Sequence, residues 1–211
     1  MQKRPRPLLC FPEEPQLSLA IALVAAYLIG AIPTGVILAR LAGIEDIRKV
    51  GSGNIGATNV YRAAGRKLGI LTLLGDALKG LLPVLAVQLS GRFGPEVVAL
   101  TAAAAFLGHC YPVYLGFKGG KGVATALGIL LVLSPLTVLG AFIIFAVMLR
   151  LFWYVSLGSI SAAAAAPVMV LLFEDQTASF AVTLFIAALI IWRHRANIDR
   201  LLKGTENKFR A

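Results

Sequence analysis

Six apolar runs, separated by short polar segments, set the pattern of the 211-residue chain. They cover residues 17–39, 68–89, 97–115, 123–149, 151–173 and 178–192, and only the second holds Asp or Lys inside it, at Asp76 and Lys79. Most are long enough, as helices rising about 1.5 Å per residue, to cross about 30 Å of hydrocarbon. Ser134-Pro135 interrupts the fourth run, and a proline disfavours helix at the residue before it. Two shorter helices meeting there are therefore expected. The first of them, over 123–133, is too short to span alone and needs shelter from protein or a re-entrant path. The pattern predicts an all-α, polytopic integral membrane protein with about seven transmembrane helical segments.

Composition and charge fix the orientation. With 58% hydrophobic and 14% charged residues, the chain is too apolar for a soluble surface. Residues 17–211 read as one membrane-embedded domain. Residues 1–16, where Pro12, Glu13, Glu14 and Pro15 separate a basic start from the first apolar run, read as an exposed tail and not as a cleaved leader. A net charge of +10 could suggest nucleic acid, but the bases gather in inter-helix segments. No nucleic-acid partner is expected, and the positive-inside rule makes those segments cytoplasmic. With the break at Ser134-Pro135, an external N-terminus and a cytoplasmic C-terminus leave 16 of 20 bases inside with five of ten acids. An unbroken fourth run would strand the basic tail outside. Cys10 and Cys110 imply no disulfide framework.

Three of the basic segments combine small residues with cations. Residues 51–65, GSGNIGATNVYRAAG, offer a flexible backbone, the neutral donors Ser52, Asn54, Thr58 and Asn59, and the guanidinium of Arg62. Residues 116–122 set Lys118 and Lys121 among Gly116, Gly119, Gly120 and Gly122. The third segment runs RHRANIDR over 193–200 and on to Glu206 and Lys208. Basic cytoplasmic loops are routine, so each alone could be only a solvated turn; together they suit an anion site. The Gly-Lys pair lacks the spacing of a P-loop, and no acid stands ready to hold magnesium. Asp76 and Lys79, three apart, share a helix face as a structural ion pair or as support for a site. His109 reads as a structural histidine, Tyr111, Tyr114, Trp153 and Trp192 as interfacial anchors or core packing, and the small residues of 162–166 as a packing surface.

The segments SGNIGATNVYRAAG (52–65), GHCYPVYLGFKGGKGVAT (108–125) and RHRANIDRLLKGTENK (193–208) closely resemble the three signature motifs of the bacterial acyl-phosphate:glycerol-3-phosphate acyltransferases. All but the first 15 or so residues follow the family in order and spacing. The resemblance implies transfer of an acyl group from acyl phosphate to the sn-1 hydroxyl of glycerol 3-phosphate, giving lysophosphatidic acid and phosphate. It implies a multi-pass protein of the bacterial inner membrane, working at the cytoplasmic face without cofactor, metal or direct use of acyl-CoA or acyl carrier protein, and functional as a monomer.

In that setting Ser52, Gly53, Asn54, Thr58, Gly120, Lys121 and Gly122 are expected to hold the acyl phosphate. Arg62, Asn59, Lys118, His194, Arg195 and Asn197 would hold glycerol 3-phosphate, with Asp76, Lys79 and Glu206 in support. The catalytic candidates are His194, Ser52 and Lys121. The hydroxyl proton has three possible fates: His194 as base, a phosphate oxygen of the donor, or a route through Ser52 as covalent nucleophile. An organic-phosphate transporter and a non-catalytic binder of anionic lipid are the rival readings; the short, nearly uncharged external loops speak against the first.

Overall fold

Proline sets where the helices begin and break. The computed structural model describes residues 15–209. In it, Pro33 divides the first apolar run into α1 (Pro15–Gly30) and α2 (Thr34–Leu41). The run was expected to be continuous; the missing N–H of proline explains the division. At the break the carbonyl of Ile32 accepts from Thr34 N at 3.0 Å and from Lys79 Nζ at 2.8 Å. Of the tail expected over 1–16, only Pro15 and Gln16 are described, as the start of α1; the rest lies outside the described residues.

The chain continues through α3 (Ala57–Ala64), α4 (Arg66–Leu89), α5 (Pro95–Cys110), α6 (Val123–Leu133), α7 (Pro135–Phe152), α8 (Val155–Phe173), α9 (Thr177–Arg193) and α10 (Arg195–Leu202). Ser134 separates α6 from α7, as the Ser-Pro pair predicts, and its hydroxyl lies 2.8 Å from that of Thr137. Among the described residues, five helical stretches are long and apolar enough to cross a membrane: Ser18–Leu41, α4, Pro95–Leu115, α7 and α8. Bent by 55° at His194, α9 and α10 together make a sixth. The protein is an all-helical polytopic membrane protein, and the short α6 accounts for the seventh apolar segment. Shelter for α6 comes from α4, α5, α7 and α9.

Helix α4 packs against α1, α2, α3, α5 and α6. Val84, Phe106, Ile129 and Ile186 fill the centre, while Leu74, Leu78, Phe142 and Leu171 are exposed on the outer surface, as a lipid-facing bundle requires. The α4–α6 crossing depends on a missing side chain: a Cβ on Gly128 would fall on the Ala77 carbonyl. Gly128→Val is expected to lower stability by about 1–3 kcal/mol through overpacking. Leu172→Ala, at a side chain 73% exposed, is expected to change it by less than about 0.5 kcal/mol. Thermal unfolding in detergent measures both.

Candidate active site

Two helix N-termini face one polar chamber. Helix α3 begins after Gly56, whose carbonyl accepts from Asn59 N (3.0 Å) and Val60 N (3.2 Å), leaving the first-turn amides of Ala57 and Thr58 without an intrahelical acceptor. Helix α6 begins after Gly122, which holds φ +84°, and its first bond runs from Ala126 N to Gly122 O at 2.7 Å. The amides of Val123, Ala124 and Thr125 are therefore likewise free of intrahelical acceptors. Gly56, Ala57, Thr58, Gly122, Val123 and Ala124 all line the same chamber of about 180 Å³. Both positive dipole ends thus serve a single space suited to anions.

Side chains complete the wall. Ser52, Asn54, Thr58, Asn59, Arg62, Asp76, Lys121, His194, Asn197 and Glu206 line the chamber. Lys121 Nζ donates to Asn197 Oδ1 at 2.5 Å, and Asn197 Nδ2 donates to Glu206 Oε1 at 2.6 Å. Glu206 also accepts from Ser156 Oγ (2.8 Å) and Arg200 Nε (2.6 Å). Burial pushes its carboxyl upward, but these hydrogen bonds outweigh that and hold it below the ordinary carboxylate range. Burial pushes the Lys121 ammonium down to about 8, with Glu206 opposing and Arg200, Arg193 and Arg62 adding to the fall. His194 Nδ1 lies 2.8 Å from the Ile190 carbonyl, which can only accept. Nδ1 therefore carries a proton, and Nε2 of the neutral ring is the acceptor.

Several expected residues sit differently. The amide of Ser52 donates to Asn59 Oδ1 (2.9 Å), that of Gly53 to Val50 O (3.1 Å) and that of Gly120 to His109 O (3.2 Å). These three N–H groups hold the loops together, and the anion-facing amides are those of the two helix starts instead. Asn59 Nδ2 donates to the carbonyls of Ile47 (3.2 Å) and Val50 (3.0 Å), so its amide side chain is taken up in shaping the 47–52 loop. Gly53, Gly120, Lys118 and Arg195 are not part of the chamber wall. Lys118 is exposed, and Arg195 lies over the Trp192 ring at 5.3 Å. Asp76 and Lys79 pair at 2.8 Å, buried. They stand about 15 and 20 Å from the start of α4 at 1.5 Å per residue, in mid-helix.

Ser156, Arg193, Asn207 and Phe209 were given no place in the site from sequence. Ser156 shares its apolar run with Ser159 and Ser161, with no spacing signal to mark it. Arg193 donates to the carbonyls of Gly120 (3.0 Å) and Gly119 (2.6 Å), clamping the glycine loop. Asn207 O accepts from Arg62 (3.4 Å), Phe209 N donates to Trp153 O (2.6 Å), and the Phe209 ring lies 5.4 Å from that of Tyr61.

Ala57, Thr58, Leu73, Val123, Ala124, Phe145, Val155 and Ser159 line both the chamber and an apolar groove of about 410 Å³. The two are continuous. The groove runs between α4, α6, α7, α8 and α9, walled by residues such as Leu127, Leu130, Phe142, Ala163 and Ile186. A polar chamber feeding an apolar groove fits a molecule with a charged head and a long tail.

The glycerol-3-phosphate acyltransferase family model matches residues 20–204. The chain belongs to the glycerol-3-phosphate acyltransferase family. It is 65% identical to the glycerol-3-phosphate acyltransferase of Syntrophotalea carbinolica, over 92% of this chain and 99% of that one. To that of Geobacter sulfurreducens it is 56% identical, over 90% and 97%. Two crystal structures of PlsY (YgiH), an integral membrane glycerol 3-phosphate acyltransferase, share the fold. The glycerol 3-phosphate form superimposes with a TM-score of 0.87 at 45% identity, over 92% of this chain and 96% of that one. The lysophosphatidic acid form gives 0.85 at 43%, with the same coverage.

The Lys121 environment predicts a pH dependence. Its cationic form, which attracts phosphate, is present below about 8 and lost above it. In the family's reaction, kcat/KM for the acyl donor should fall as pH rises through about 8, because that ratio reports the free enzyme. Lys121→Arg, charged throughout, should show a lower plateau without that fall. Initial rates between pH 6.5 and 9.5 provide the check.

Proposed function

We propose that the protein transfers the acyl group of an acyl phosphate directly to the sn-1 hydroxyl of glycerol 3-phosphate, releasing lysophosphatidic acid and inorganic phosphate. The observation that carries this reading is the chamber with two helix N-termini, Lys121 and Arg62 in its wall, opening into the apolar groove. Two phosphates need two electropositive places, and the donor's tail needs the groove. The α3 and α6 starts with Ser52, Asn54, Thr58 and Lys121 hold the acyl phosphate; Arg62, His194 and Asn197 hold glycerol 3-phosphate. The excess of bases in the segments around the chamber supports a site at the cytoplasmic face of a bacterial inner membrane, with the N-terminus outside.

The hydroxyl oxygen attacks the acyl carbon, the bond from that carbon to the phosphate oxygen breaks, and the leaving phosphate takes the hydroxyl proton. An acyl phosphate is already activated, so the protein's part is orientation and charge stabilisation, of which orientation alone can supply about 7–11 kcal/mol. A Ser–His–Asp relay requires a carboxylate on His194 Nδ1, and that proton goes to the Ile190 carbonyl. This favours direct transfer over a Ser52 acyl-enzyme. His194 Nε2 accepts a hydrogen bond from the other, sn-2 hydroxyl of glycerol 3-phosphate. No cofactor, acyl-CoA or acyl carrier protein enters the reaction, and one chain holds every group the reading uses.

Purified protein incubated with palmitoyl phosphate and glycerol 3-phosphate should release phosphate only when both are present, and palmitoyl-CoA should not replace the donor. Release independent of glycerol 3-phosphate would remove the proposal. His194→Ala should raise KM for glycerol 3-phosphate and keep kcat within about tenfold; a fall of about 10²–10⁴ in kcat would instead make His194 the general base.

A further inference from the structure

His109 lies at the end of α5, 3% exposed, and the mechanism above does not use it. Its imidazole occupies the space where a side chain on residue 120 would stand: a Cβ on Gly120 would overlap ring atoms Nε2 and Cε1. The backbones are joined as well, Gly120 N donating to His109 O and Gly119 N to Cys110 O, both at 3.2 Å. Arg193 grips the same two glycines through their carbonyls. Lys121 follows directly, so a shift of Gly120 is a shift of the ammonium at the chamber wall.

The ring also faces a buried charge. Its Nδ1 has no hydrogen-bond partner and stands 3.8 Å from Asp76 Oδ1. Asp76 is fixed by Lys79 at 2.8 Å, and Lys79 by the Ile32 carbonyl. His109 and Asp76 both reach the chamber. If the site needed only filled volume, an apolar side chain would serve, without the cost of an unpaired buried nitrogen. The ring thus stands between Asp76 on α4 and Gly120 in the glycine loop.

We infer that His109 is a positioning residue for the reaction: its imidazole is the rest against which Gly120 lies, and it fixes Lys121 where a phosphate-bearing substrate meets it. The inference depends on the chamber being the site of the phosphate substrates. It does not require His109 to touch them.

Steric complementation tests it, using full-length protein, palmitoyl phosphate and glycerol 3-phosphate. His109→Ala should raise KM for at least one of the two substrates about tenfold and leave kcat within about threefold. His109→Gln, which keeps a polar side chain of similar reach, should recover part of that loss, and it supplies the KM-against-kcat split if His109→Ala does not fold. Gly120→Ala alone should be the more impaired single variant, because its methyl meets the ring. The double variant His109→Ala/Gly120→Ala should be better than Gly120→Ala, since the methyl then has room. Two single losses that simply multiply in the double variant, or a His109→Ala enzyme with unchanged KM values, would overturn the inference. A wild-type protein that fails to release phosphate would instead overturn the functional reading, which keeps the two failures apart.

Discussion

The site depends on the orientation of one amide. Asn197 stands at the start of α10 with its Nδ2 given to Glu206 and its Oδ1 turned to Lys121. A carboxylate only accepts and an ammonium only donates, so this pair of neighbours admits a single flip of the side chain. Glu206 in turn is shared with Ser156 at the start of α8 and Arg200 on α10. Segments far apart in sequence are thereby locked to the glycine loop through four hydrogen bonds. The carboxyl stays ionised because its donors outweigh burial, so the lock does not loosen near neutral pH.

A second polar chain runs deeper. The Ile32 carbonyl at the Pro33 break accepts from Thr34 N and also from Lys79, which reaches it from mid-α4 while neutralising Asp76. Charge inside the bundle is tolerated because each group meets a specific partner. The same arrangement ties the α1–α2 break to α4, and hence to the floor of the chamber, which Asp76 lines.

Much of this was legible in the sequence, for identifiable reasons. Ser134-Pro135 announced a break because proline restricts its predecessor, and α6 and α7 meet there. Pro33 does the same within the first run, which was read as one continuous span. The three glycine-bearing and basic segments did come together: Ser52, Asn54, Thr58, Arg62, Lys121, His194 and Asn197 share one wall. Composition could not say which backbone amides remain free. That depends on local closure, where Asn59 captures Ser52 and His109 captures Gly120. Ser156 was invisible because nothing in the sequence sets it apart from Ser159 and Ser161 in the same apolar helix; only the arrival of Glu206 gives it a role. Lys118 and Arg195 carry charge suited to an anion but are exposed and do not line the chamber.

The apolar groove has a consequence for how the reaction meets its surroundings. Ile70, Leu73 and Phe142 belong both to its wall and to the exposed outer surface of the bundle. A tail lying there is in contact with lipid, so the bilayer is the second solvent of the site. Encounters are then counted per lipid and not per litre, and diluting an amphiphilic ligand with inert lipid lowers occupancy even at constant total concentration. A water-soluble ligand entering the polar chamber answers to the aqueous phase alone. One protein thus reads two concentration scales at once, one across a surface and one through a volume.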